Sequence, residues 1–151
     1  MTKKKVLVLS DHPLSPSGVG TQTKYMIEAL LKTGRYQFVC LGGAVQHKDY
    51  SPQKVDPWGD DWRIFPVDGY GNHEIIRSIM QKEKPDVLWF MTDPRFYGWL
   101  WEIENEVRVN VPMFTTMFGI TSQHHISTLI FIILQMLLLV FQRLLMKLFG
   151  R

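Results

Sequence analysis

The stretch KVLVLSDHPLSPSGVGTQTKYMIEALL, residues 5–31, limits what this chain can fold into more than any other part of it. Val6, Leu7, Val8 and Leu9 form a continuous β-branched and leucine run, the pattern of a strand covered on both faces. A loop of proline, serine and glycine follows, and beyond it Tyr25, Met26, Ala29 and Leu30 recur at helical spacing. Strand, glycine loop and helix in that order belong to a parallel α/β sheet. There the loop lies at the carboxyl end of the first strand, where ligands bind, and the helix turns unpaired N–H groups toward anions. The segment therefore predicts a site for a phosphate-bearing ligand.

The same alternation continues. Gly34 is expected to end the first helix, and YQFVCL at 36–41 to form a second strand closed by Gly42 and Gly43. Residues 44–61, with Pro52, Pro57, Gly59 and several charges, show no periodicity and predict a long surface excursion. WRIFPV at 62–67 reads as a third strand with Pro66 at an edge or an end. Asn72 caps a helix carrying Ile75, Ile76, Ile79 and Met80, which Lys82, Lys84 and Pro85 stop. Residues 86–91, DVLWFM, form the next strand. Asp93 and Pro94 open a very apolar helix through Phe96, Tyr97, Leu100, Trp101 and Ile103, and a further strand is expected to begin near Val109. The fold class that follows is α/β, a Rossmann-like, doubly wound, mostly parallel sheet in a single domain.

Length and composition narrow the function. A chain of 151 residues, 46% hydrophobic and 21% charged, has room for one domain with a proper core. Three of the 17 basic residues, Arg143, Lys147 and Arg151, lie in a tail without acids, which leaves 14 bases against 14 acids elsewhere. With that balance no basic face tracks a phosphate backbone, so a nucleic-acid partner is not expected. Cys40 is the only cysteine, which rules out an internal disulfide and a thiolate metal cluster. His124 and His125 are adjacent, a spacing that points them apart, so no metal is expected. The amino terminus has too few apolar residues for a secretory leader, and a cytoplasmic location is expected.

Several residues are candidates for chemistry. Gly18 and Gly20 permit positive φ and close backbone approach, and Thr21 or Thr23 can cap the helix and offer a hydroxyl to phosphate or sugar. Neither GxxxxGK[ST] nor GxGxxG is present. Asp11 and His12 lie just after the first strand, where a polar group faces the cleft. Asp93 and Arg95 follow the fourth strand on the same sheet edge, as contacts to a hydroxyl and an anion, although Asp93 is also a ready helix cap. His73 and Glu74 read as a solvated face, and Trp99 and Trp101 as packing.

Taken together, VLVLSDHPLSPSGVGTQTKYMIEALLKTGRYQFVCLGG, KPDVLWFMTDP and the lead Asn110, Val111, Pro112 resemble the amino-terminal domain of GT-B glycosyltransferases of the glycogen-synthase-like, family 4 kind. The likeness covers about residues 4–112. Gly18-Val19-Gly20 stands where many members have paired glycines, and Arg35-Tyr36 where they have Gly-His. The resemblance implies transfer of a sugar from a nucleotide sugar to a hydroxyl acceptor, with the nucleotide sugar as substrate and no separate cofactor. Gly18, Gly20 and Thr21 would then lie nearest the donor phosphates, and Asp11, His12, Asp93 and Arg95 would be cleft or acceptor contacts. In that family a second domain with an acidic E-x7-E type motif holds the donor. The chain is therefore read as a truncated acceptor-side fragment, catalytically weak or dead by itself because positioning both substrates supplies much of the rate.

Residues 113–151 differ from the rest. Ala, Cys, Asp, Glu, Asn, Pro, Trp and Tyr vanish, and Leu, Ile, Phe and Met take over. Three readings stay open: a hydrophobic C-terminal helix contacting a membrane through 126–149, a buried terminal helix, and an out-of-frame translation. In the shifted frame MFTTMFGITSQHHIS can become VYYNVWDNFPAPHF, consistent with the next segment of such a glycosyltransferase. The functional alternative to sugar transfer is a non-catalytic, membrane-tethered α/β module that binds a nucleotide or a sugar, peripheral or anchored at the membrane.

Overall fold

Val6 to Leu9 lie in β1 (Lys4–Asp11), which is buried from Val6 to its end. A computed structural model describes residues 2–116; the hydrophobic tail from 117 onward, with its expected helix, lies outside the described residues. After β1 come α1 (Gly18–Leu31), β2 (Tyr36–Gly43), β3 (Gln53–Val55), β4 (Gly59–Pro66), α2 (His73–Glu83) and β5 (Val87–Met91). A 3-10 turn (Pro94–Tyr97), α3 (Gly98–Glu102), α4 (Glu104–Asn110) and β6 (Met113–Thr115) complete the order.

The six strands form one sheet in the order β3-β4-β2-β1-β5-β6. All neighbours are parallel except β3 and β4. The chain winds outward from β1 through β2 to β4, returns by α2 to the other side of β1, and continues outward through β5 to β6. Strand alternation divides the core between two faces. Leu7, Leu9, Val39, Leu41, Leu88 and Phe90 pack with Ile76 and Ile79 of α2, Leu100 of α3 and Val107 of α4. Val6 and Val8 point to the opposite face, and α1 packs on β1 and β2 through a buried stripe of Gly20, Thr23, Ile27 and Leu31. The result is an α/β fold with a mostly parallel sheet flanked by helices, consistent with a Rossmann-like arrangement.

The elements depart from the sequence expectation in three places. α1 turns a different stripe inward from Tyr25, Met26, Ala29 and Leu30; Tyr25 is 63% exposed. Gly20 and Thr23 are small enough for helix and sheet to approach closely, which the larger side chains would prevent. Within the expected excursion at 44–61, β3 pairs antiparallel with β4 as an edge strand, too short to show a period. Pro66 is the last residue of β4, the strand-end position expected for it. The helical region after Pro94 continues as α4 to Asn110, so β6 starts at Met113, where a strand near Val109 was expected.

Trp89 Nε1 donates to Thr116 Oγ1 at 3.0 Å and Thr116 N to Phe90 O at 2.9 Å, so residues 113–116 belong to the sheet although the composition changes at 113. Among the described residues no helix is long and apolar enough to cross a membrane.

Candidate functional site

The winding reverses between β1 and β5, and the carboxyl ends of these neighbours open the crevice where ligands bind in sheets of this kind. Asp11, the last residue of β1, is 8% exposed. Its Oδ1 accepts a 3.4 Å hydrogen bond from Thr92 Oγ1, just beyond β5, and no other described residue donates to its carboxylate. A buried carboxylate with one long hydrogen bond is costly and keeps the capacity to accept further hydrogen bonds.

Two phenols feel the field of this carboxylate. Tyr97, in the 3-10 turn, is 1% exposed. Burial first, then the charge of Asp11 and the nearby Tyr70 phenol, push its pKa up. Tyr70, on the loop after β4, is raised by burial, then by Asp11 and Asp93.

The helix amino terminus lies at the same edge. Ser17 is its cap, extended at φ −88° and ψ 151°, with Oγ accepting from Gly20 N at 2.8 Å. Neither Thr21 nor Thr23 caps it; Thr23 Oγ1 donates to Val19 O at 2.8 Å within the helix. Gly18 and Gly20 sit in the first helical turn and do not use positive φ. The N–H groups of Gly18 and Val19 donate to no described residue. Gly18 has open space around it, whereas a Cβ on Gly20 would lie 2.5 Å from His12 O. Of the expected phosphate residues, Gly18 is therefore accessible and Gly20 is a packing position. Thr21, one residue past Gly20, is half-buried on the same helix.

His12 is used inside the fold. Its Nδ1 accepts from Leu14 N at 3.2 Å, its ring lies 5.2 Å from that of His47, and a Cβ on Gly42 would meet its Cδ2 at 2.6 Å. Burial first, then the charge of His47, lower its pKa below 6.5, partly opposed by a hydrogen bond with Gln53. The unfolded chain then takes up the proton first, so stability from this group is full above pH 6.5 and is lost as pH falls through the lowered folded value. His12→Asn keeps an acceptor for Leu14 N and is expected to reduce the loss of stability on acidification through this window, as measured by urea unfolding at a series of pH values.

Asp93 and Arg95 pair with each other. Asp93 caps the 3-10 turn through Arg95 N at 2.9 Å, and Arg95 Nη2 lies 2.6 Å from Asp93 Oδ2. The hydrogen bonds from Arg95 lower the Asp93 pKa. His73, expected on a solvated face, instead has Nε2 2.7 Å from Trp99 O and 3.2 Å from Glu102 Oε2. That contact joins α2 to α3 across 26 residues of sequence, which no local pattern could reveal.

No family model, curated protein or solved structure matches this chain.

Two other features lie apart from this edge. A groove between α2 and α4, with Met80, Pro85, Val107 and Val111 along it, lies by the amino ends of β5 and β6. Of its polar residues Arg77, Gln81, Lys84, Glu106 and Asn110, Arg77 and Glu106 bond each other at 2.7 Å. Cys40 is fully buried in β2, and burial pushes its thiol up to about 12. Iodoacetamide at mildly alkaline pH should leave it unmodified in the native chain and label it in denaturant, which intact-mass measurement reads directly.

No group of three or more His, Cys, Asp or Glu side chains among the described residues could hold a metal ion. Tyr97 stands in a very apolar run and lies in the core, as such a run predicts, whereas Tyr70 lies in a turn and only the fold packs its ring against Phe96 and Tyr97.

Proposed function

We propose that residues 2–116 form the acceptor-side domain of a GT-B glycosyltransferase, which transfers a sugar from a nucleotide sugar to a hydroxyl acceptor. The observation that carries this reading is the buried, under-bonded Asp11 carboxylate at the point where the sheet reverses, on the same edge as the free N–H groups of α1. The helix terminus favours the donor diphosphate electrostatically, whereas Asp11 favours a ligand that donates hydroxyl protons. The finer fold assignment, a Rossmann-like doubly wound domain of this family, is part of the same proposal. It is supported by the parallel strands running β4-β2-β1-β5-β6, with helices on both faces.

In such an enzyme the described residues supply one wall of the cleft. A sugar hydroxyl held on Asp11 would be oriented toward the donor, and Asp11 could accept its proton as the new glycosidic bond forms and the nucleoside diphosphate leaves. Weak donor binding is expected of this wall alone.

The test is ³¹P NMR of the full chain titrated with a panel of nucleoside diphosphate sugars. Progressive broadening of the diphosphate signals is expected. Gly18→Pro should weaken the effect roughly tenfold by removing one N–H donor. Proline suits this first helical position, and Ser17 is already extended, so stability should hold. Absence of broadening with every donor, or broadening unchanged by Gly18→Pro, would count against the proposal.

A further inference from the structure

We infer that His12 and His47 form an acid-opened latch at the carboxyl edge of the sheet, which pins residues 13–17 and 44–52 while His12 is neutral and releases them when it is charged. The latch joins the chain's own loops, so it stands apart from the sugar-transfer reading above.

Residues 44–52 leave β2 at Gly43 and return as β3 at Gln53. Ala44 N donates to Gly69 O at 2.7 Å, but no backbone hydrogen bond joins residues 45–52 to the rest of the described fold. Two side chains hold them instead. His47 Nε2 donates to Gly42 O at 3.1 Å, and the Tyr50 hydroxyl donates to Asp68. Of residues 44–52 only His47 is half-buried, and the others are exposed. His47 is therefore the inward anchor of the segment, and its ring lies 5.2 Å from that of His12.

His12 is 7% exposed, and its bonds select the neutral ring. Nδ1 accepts from Leu14 N at 3.2 Å, so the neutral imidazole carries its proton on Nε2. The side chain also hydrogen-bonds Gln53, where β3 starts. A proton on His47 leaves its Nε2 donor in place. A proton on His12 turns Nδ1 into a donor that faces the donor Leu14 N–H, and residues 13–17 lose that bond. With His47 also charged, two cations then stand 5.2 Å apart by their ring centres, and the exposed segment is the side free to move away.

No countercharge relieves the pair. Gly42, Ile64 and Gln53 face His12 and are uncharged, and neither ring pairs with a carboxylate among the described residues. Asp11 accepts from Thr92, Asp49 from Ser51 and Asp68 from Tyr50, while Lys48 beside His47 adds positive charge. Burial and then the charge of His47 accordingly hold the His12 pKa below 6.5. The loops stay pinned at neutral pH and are released as pH falls through that lowered value.

Hydrogen exchange of the full chain, followed by mass spectrometry at about pH 7.5 and about pH 5 and corrected for the intrinsic pH dependence of amide exchange, tests the latch. Protection of residues 13–17 and 44–52 should fall roughly tenfold in acid, while α2 and β5 keep theirs. His12→Asn, which keeps an acceptor for Leu14 N and carries no charge, should abolish the loss in both segments. His47→Gln, which keeps a donor for Gly42 O, should abolish it in 44–52 and leave it in 13–17. His73→Gln, between α2 and α3, should respond as wild type. Each variant is compared with its own protection at neutral pH, so a change in overall stability does not imitate the effect.

Protection that is insensitive to acid in both segments, an acid loss that persists in His12→Asn, or a loss spread equally over α2 and β5 would overturn the latch. Nitrogen-15 NMR of the imidazoles gives a check that needs no variant. At neutral pH His12 should show a bare Nδ1 and a protonated Nε2, and the opposite tautomer would refute the arrangement.

Discussion

Glu83→Ala is expected to lower folding stability by about 3 kcal/mol, the lower part of the range for breaking a buried ion pair. Glu83 ends α2 with its side chain only 5% exposed. Arg63 Nη1 and Nη2 donate to its two oxygens at 3.0 and 2.5 Å, and Lys5 Nζ donates at 3.2 Å to the same carboxylate and at 2.8 Å to Glu83 O. The carboxylate therefore joins β1, β4 and α2. Removing it leaves two cations facing each other, and Arg63 Nε is already buried without a partner. The cost falls short of the upper range because Arg63 and Lys5 keep 24% and 25% of their side chains exposed, so water screens them in part.

Burial alone would raise the Glu83 pKa, but the hydrogen bonds from Arg63 and Lys5 more than offset it and the net direction is down. The stabilisation is thus complete above the unfolded glutamate value of 4.5 and is lost as pH falls through the depressed folded value. Guanidinium unfolding of wild type and Glu83→Ala at neutral pH measures the deficit. Repeating it in acid should show the two converge. A deficit that stays constant into acid would show that lost packing, not the ion cluster, causes it. Arg77→Ala, which breaks an exposed pair with Glu106, should cost far less.

The second large effect separates two glycines of one motif. Gly20→Ala is expected to destabilise by about 2 kcal/mol, although alanine in a helix gains about 1 kcal/mol over glycine. The added Cβ would lie 2.5 Å from the backbone oxygen of His12 and 2.9 Å from the hydroxyls of Ser15 and Ser17. The hydroxyls can rotate away, but a backbone oxygen held in the turn by Ser15 N at 2.9 Å cannot. Either α1 moves from the sheet or the loop is displaced, and the steric cost outweighs the propensity gain. Gly18→Ala has the opposite sign, a gain of about 0.5 kcal/mol, because nothing lies within 4 Å of the new methyl. Thermal unfolding of both variants decides the matter. If Gly20→Ala proved as stable as Gly18→Ala, the close approach of α1 to the loop would be refuted.

Much of the architecture was legible in one dimension because its signals are local. The buried run at Val6 to Leu9, the Asn72 cap, with Oδ1 accepting from Ile75 N at 3.0 Å, and the Asp93 cap each follow from a few neighbouring residues. Gly34, at φ 69°, follows α1 as a residue free to turn left-handed. The site was less legible. Asp11 could be named because it ends a strand, but His12, its neighbour, proved to be bound up with Leu14, Gly42 and His47. Thr21 and Thr23 were equal candidates to cap α1 only because the helix start was read a few residues late; Ser17 starts it earlier.

Apart from β3 and the division of the helical region after Pro94, the sequence by itself determined the main alternation of strands and helices and the mostly parallel class of the sheet. These depend on hydrophobic period, turn residues and the handedness of crossovers, all set by short-range sterics. Only the tertiary structure decided which stripe of α1 turns inward, since two apolar stripes satisfy one helical period and the choice belongs to the sheet surface it meets. It alone packed Tyr70, on the loop before α2, against Phe96 and Tyr97 beyond β5, a meeting that depends on the return of the chain through α2 and that no local spacing records.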